Sequence, residues 1–198
     1  MKKIFTIVVF AISFLAFSKS NAQTPVNMSA QPGLTYTETF ADIANWTNAF
    51  ASGTGANRWG SVAVLSTGTI PSATKTTATT ATFAGSSTSG GVQKGITSLG
   101  NVAGTIVLLS TGAANNSSST AIDFLMDFTG VNAGTLSFVA ATVNKSTGNR
   151  PGSLRVYYST DNTTFTELTS AFYETFNNNA TATASQTFTN IALPSDFN

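Results

Sequence analysis

The sequence predicts an all-β protein, an antiparallel two-sheet β-sandwich, and three observations carry that expectation. Short segments rich in Val, Ile, Thr, Phe and Tyr recur along the chain, separated by clusters of Gly, Ser and Asn. No window sustains the 3.6-residue apolar period of a helix. The 198 residues are 41% hydrophobic and include 15 Phe, enough to fill a core, while only 9% are charged. Soluble proteins usually carry about 25% charged residues. Here Ser, Thr, Asn and Gly take their place.

The first stretch stands outside the fold. Met1-Lys2-Lys3 is a basic start, residues 4–17 are a continuous apolar run, and small Ser20 and Ala22 precede Gln23. That is the layout of an export signal cut after Ala22, and the run is shorter than the ~20 residues a bilayer span needs. Residues 1–22 are therefore read as a signal peptide, which places the protein outside the cell or at its surface. Removing Lys2, Lys3 and Lys19 leaves six basic residues against eight acidic ones, a net charge of −2. Nothing basic then points to nucleic acid, and no second apolar run points to a membrane span.

Residues 23–34, with Pro25 and Pro32, read as a linker, and residues 35–198 as one β domain. Strands are expected at 35–40, 58–65, 80–84 and 91–97, and a mostly apolar central strand at 105–110. In 121–128, Ile122, Phe124, Met126 and Phe128 alternate with Asp123, Leu125 and Asp127, a strand with one buried face. In 135–143, Leu136, Phe138 and Ala140 share a face. Leu154, Val156 and Tyr158 oppose Arg155 and Tyr157, and the polar break at 159–163 leads into 164–168 as a hairpin. Residues 186–193 supply the last strand. Segments 42–50 and 170–176 are the best helix candidates, each about two turns long. Many short strands at this spacing suit an antiparallel sandwich or jelly roll, with an open barrel as the alternative.

With no cysteine and no histidine, the chain lacks thiolate nucleophiles, Cys-type metal sites and a Ser-His-Asp triad. A glycosidase needs two carboxylates about 5–9.5 Å apart. Asp123 and Asp127 lie four residues apart on one strand, roughly 13 Å by strand rise, and read as solvated carboxylates of a polar face. The chain is therefore expected to have no catalysis of its own. The readable ligand signal is aromatic, because sugar rings pack on exposed aromatic faces. Trp46, between Ile43 and Phe50, is expected in the core. Trp59 beside Arg58 is a candidate ligand-binding ring. Arg155 and Tyr157 share a strand face and form either a binding platform or a cross-strand packing pair.

Three stretches carry a resemblance: Glu38-Thr39-Phe40 with Trp46, residues 153–161, and Thr164-Phe165-Thr166-Glu167-Leu168. Together they resemble the jelly-roll modules, cleaved-adhesin-like and carbohydrate-binding-like, of secreted multidomain proteins from Bacteroidetes-type bacteria. The resemblance implies a sandwich exported through the general secretory pathway. It also implies a structural calcium near the N-terminal strand, which nominates Glu38 and Asp42 as ligands. Related modules continue into further closing strands beyond the point matching Asn198, so the domain is expected to be a C-terminally incomplete fragment whose open edge favours association. Two functions fit: a non-catalytic binding or adhesion module for extracellular polysaccharide, or a structural accessory sandwich of a larger secreted hydrolase, nuclease or surface protein.

Overall fold

The computed structural model describes residues 24–46, 58–64, 91–97, 102–109, 119–141, 151–161, 164–177 and 185–197. Among them the chain is strand-rich, with twelve strands, and its helical content is limited to single 3-10 turns. The strands are β1 (Val26–Asn27), β2 (Trp59–Val64), β3 (Gly91–Lys94), β4 (Ile106–Leu109), β5 (Ser119–Phe124) and β6 (Met126–Asp127). They continue as β7 (Thr135–Ala141), β8 (Pro151–Leu154), β9 (Tyr157–Tyr158), β10 (Thr166–Glu167), β11 (Tyr173–Asn177) and β12 (Ser185–Ala192). Five small antiparallel pairs form, β2–β5, β3–β4, β7–β12, β8–β11 and β9–β10, and β1 pairs in parallel with β6. These pairs close no barrel among the described residues. No helix there is long and apolar enough to cross a membrane.

The β7–β12 pair follows its sequence pattern most directly. Leu136, Phe138 and Ala140 turn inward, while Val139, on the opposite face, is 67% exposed. Phe138 lies across from Phe188, and the two rings stack with centroids 4.6 Å apart, a cross-strand pair of the kind that pins register. Between Phe188 and Ile191 the register slips, so β12 carries one extra residue. Asn190 absorbs the bulge with a left-handed φ of 54°, and its N–H donates to the Ser137 hydroxyl at 3.0 Å. Behind this pair, Ala171, Leu168, Tyr173, Phe188 and Ile191 form one buried cluster, with Leu154, Val156 and Tyr158 half-buried against it.

A second cluster gathers Ile43, Trp46 and Val92, with Ile106, Leu108 and Ile122 from β4 and β5 packed on it. Its tightest point is Gly95, whose N–H donates to the Thr105 carbonyl while its own carbonyl accepts from Gly104. A Cβ at Gly95 would fall inside van der Waals contact of Thr105 Oγ1 and the Val102 carbonyl, so only glycine allows this approach. A third cluster joins Val26, Met28 and Phe128, with Leu193 and Phe197 packed on it from the far end of the chain.

Several elements differ from the sequence pattern, each for a local reason. Residues 24–34, expected to be a linker, are docked: Val26 is 2% exposed, its N–H donates to the Leu125 carbonyl, and Asn27 caps a 3-10 turn at Met28–Ala30. Residues 35–40 form no ladder: the Thr35 N–H donates to the Pro32 carbonyl, the Phe40 N–H to the Glu38 carboxylate, and the Phe40 carbonyl accepts from Ile43. The expected strand 121–128 divides at Leu125, where the chain leaves β2 and turns to β1. Strand 154–158 divides at Arg155, between the β8–β11 and β9–β10 pairs. Of the helix candidate 42–50, the described residues hold a 3-10 turn at Ile43–Asn45, and 47–50 lie outside them; the candidate 170–176 is a 3-10 turn at Thr169–Ala171 that runs on into β11. Of the residues expected to be buried, Phe128 is fully so, while Ile122, Phe124, Leu136 and Phe138 are half-buried. The hairpin at 154–168 forms as β9–β10, and Asp161 Oδ1 fastens its loop by accepting from Thr164 N–H at 2.7 Å and from the Ser159 hydroxyl. The expected signal peptide at 1–22 and the expected strand at 80–84 lie outside the described residues.

Candidate functional site

Residues 36–42 run as irregular chain past the start of β2, and polar side chains hold them there. Glu38 does most of this. Its Oε1 accepts from the Phe40 N–H at 2.8 Å, and its Oε2 accepts from the Tyr36 hydroxyl at 2.9 Å. Phe40 sits at a left-handed φ of 54°, a conformation that costs an L-residue roughly 1–2 kcal/mol. The Glu38 bond and the packing of the Phe40 ring against Trp46 and Trp59 offset that cost. Asp42 Oδ1 then accepts from the Trp46 indole N–H at 2.9 Å and fixes that ring, 1% exposed, in the core. Lys94 Nζ donates to the Trp46 carbonyl, and burial holds the Lys94 ammonium below the usual lysine range.

Five aromatic rings make a continuous chain behind this segment. Tyr36 stacks on Phe124 at 5.1 Å, Phe124 meets Trp59 at 4.5 Å, Trp59 meets Phe40 at 5.1 Å, and Phe40 meets Trp46 at 5.9 Å. Register explains one link, because Trp59 on β2 lies opposite Phe124 on β5. In front of the rings, Tyr36, Thr37, Glu38, Thr39, Ala41, Asp42 and Arg58 line an open groove of about 340 Å³. Its size is at the small end of ligand-binding clefts. The Arg58 guanidinium lies over the Tyr36 ring, 5.2 Å from its centroid, and makes no ion pair among the described residues. Burial, then the Glu38 carboxylate, raise the Tyr36 phenol above the usual tyrosine range against the opposing pull of Arg58. A second open depression, about 330 Å³, lies over the turn at Phe128–Asn132 and carries no charged side chain.

The sequence-derived candidates fall into two places. Glu38 and Asp42 both line the groove. Trp59 is a half-buried strut behind it, and its indole N–H is shielded without a hydrogen-bond partner. Arg155 and Tyr157 sit elsewhere, on the β9–β10 hairpin. Arg155 Nη1 donates to Glu167 Oε1 at 2.5 Å, and the guanidinium covers the Phe172 ring at 4.4 Å. Tyr157 lies opposite Glu167 in register, and burial, then Glu167, raise its phenol. The Arg155 guanidinium is thus engaged by Glu167 and by the Phe172 ring. Tyr36 and Arg58, the residues that give the groove its character, carried little sequence signal. Only the adjacency of Arg58 to Trp59 hinted at them.

Calcium, implied at Glu38 and Asp42, takes six to eight oxygen ligands. Both Glu38 oxygens already accept hydrogen bonds, Asp42 holds the Trp46 indole, and a guanidinium shares the groove. No group of three or more acidic, His or Cys side chains gathers among the described residues. Glu38 and Asp42 are the two acidic side chains that line the groove, and Arg58 stands beside them. Comparison with known protein families, with curated proteins and with solved structures finds no match for this chain.

Proposed function

We propose that this protein is an exported, non-catalytic binding module for extracellular polysaccharide, built on a jelly-roll sandwich. The observation that carries the reading is the groove at residues 36–42 and Arg58, where hydroxyls, two carboxylates and a guanidinium line one open surface. A sugar presents several hydroxyls on a small apolar frame, and paired donors and acceptors beside an aromatic ring suit it. The groove is open, which suits an extended chain. Glu38 and Asp42 hold Tyr36, Phe40 and Trp46 in place, so the lining of the groove is built before a ligand arrives. The basic start and apolar run of residues 1–17 support export.

The test is retention of the exported protein on an array of neutral and acidic polysaccharides. Retention on at least one is the expected result, with no hydrolysis of the retained chain. The second reading, a structural accessory sandwich of a larger secreted protein, is favoured by the inward commitment of Trp59 and Arg155. It predicts no retention on any glycan.

A further inference from the structure

The binding reading leaves the ligand's chemistry open, and the charges of the groove narrow it. Two carboxylates and one guanidinium give the lining a net charge of −1, so a polyanionic chain meets repulsion there. A cationic chain meets Arg58. A neutral ligand rich in hydroxyls meets neither penalty, and it uses both signs of charge, since a hydroxyl donates to a carboxylate and accepts from a guanidinium. Each Glu38 oxygen is engaged by one donor and keeps a second acceptor position. Arg58 has no carboxylate partner among the described residues to compete for its N–H groups. Its planar fork is held against the Tyr36 ring, which limits the freedom lost when a ligand is bound.

Resting on that reading, we propose that the groove selects neutral sugars, with Arg58 donating to one hydroxyl and the Glu38 and Asp42 carboxylates accepting from its neighbours. Trp59 supports the site from behind and does not stack on the sugar. Recognition therefore depends on the shape of the guanidinium and not only on its charge.

The experiment measures binding of the exported protein to neutral β-glucan, mannan and xylan, and to acidic polygalacturonate and alginate, by affinity electrophoresis. Arg58→Lys keeps the charge and the aliphatic stem but loses the fork. Asp42→Asn keeps an acceptor for the Trp46 indole, and Val139→Ser, on the exposed face of β7, is the control. Neutral chains are expected to bind, with little change between about 0.05 and 0.5 M salt. Arg58→Lys is expected to weaken binding about 10- to 100-fold, the worth of a hydrogen bond to a charged group, with Val139→Ser unchanged. Preference for the acidic chains, or binding of neutral chains that neither Arg58→Lys nor Asp42→Asn weakens, overturns the proposal and leaves the binding reading standing. Binding to no glycan overturns both.

Discussion

The β7–β12 pair and the segment 36–46 both bury aromatic rings, but by opposite means. In β7–β12 the period-2 alternation decides which side chains face inward, and the ladder satisfies the backbone. In 36–46 there is no ladder. Glu38 and Asp42 satisfy the backbone and the indole, and the rings of Phe40 and Trp46 follow from where those carboxylates hold the chain. A sheet leaves its outer face flat and featureless. A segment built on side-chain hydrogen bonds leaves polar groups clustered at its surface, which is where the groove forms.

Truncating the central ring of each region tests that contrast most strongly. Trp46→Ala and Phe188→Ala, at positions 1% and 6% exposed, should each cost about 3–5 kcal/mol in urea unfolding. Trp46→Ala should also disorder the groove, because Asp42 loses the Trp46 indole N–H, while Phe188→Ala should leave polysaccharide retention intact. A loss below about 1 kcal/mol for Trp46→Ala would remove the segment from the core. Next in size is Gly95→Ala, where a methyl group must displace backbone at Val102 and Thr105. The expected loss is about 1–3 kcal/mol or more, the range for overpacking, read from the same unfolding curves.

The bulge in β12 gives a smaller effect. Asn190→Ala should cost about 1 kcal/mol, since alanine tolerates the left-handed φ less well, whereas Asn190→Gly should be close to neutral. Equal losses for both would mean that the Asn190 side chain matters more than its backbone. The smallest effect is expected in alkali. Tyr36 and Tyr157 hold their phenolic protons above the ordinary value of 10.0 in the folded state. Their contribution to stability is therefore complete below pH 10 and declines as the pH rises through the folded-state values. Ultraviolet titration should show a late-ionising phase that Tyr36→Phe and Tyr157→Phe each reduce.

How much the sequence foretold follows the same division. Strands that alternate cleanly, such as β7, were legible because one polar face and one apolar face leave a single register. The hairpin was legible from Asp161 and its polar neighbours. The break of β5 from β6 at Leu125 was not, because the alternation of 121–128 continues unbroken across a change of partner. Residues 35–40 have strand composition, yet Glu38 reaches Phe40 only two positions away and diverts the backbone before a ladder can form. Of the site, Glu38 and Asp42 were singled out as metal ligands, and the structure uses the same carboxylates as hydrogen-bond acceptors. Arg58 and Tyr36 depend on contacts between distant segments that no local pattern encodes.

The parallel clasp of β1 on β6 also bears on the order in which the chain assembles. Val26 pairs with Met126, one hundred residues further on, and Leu193 and Phe197 pack over the same cluster. A hairpin such as β9–β10 closes within microseconds, whereas so long a loop pays its closure entropy before any contact rewards it. A chain that emerges with its N-terminus first must therefore keep Val26 and Met28 waiting until most of the domain has followed. The clasp locks late, and the pace at which its far partner arrives sets the clock for the N-terminal segment.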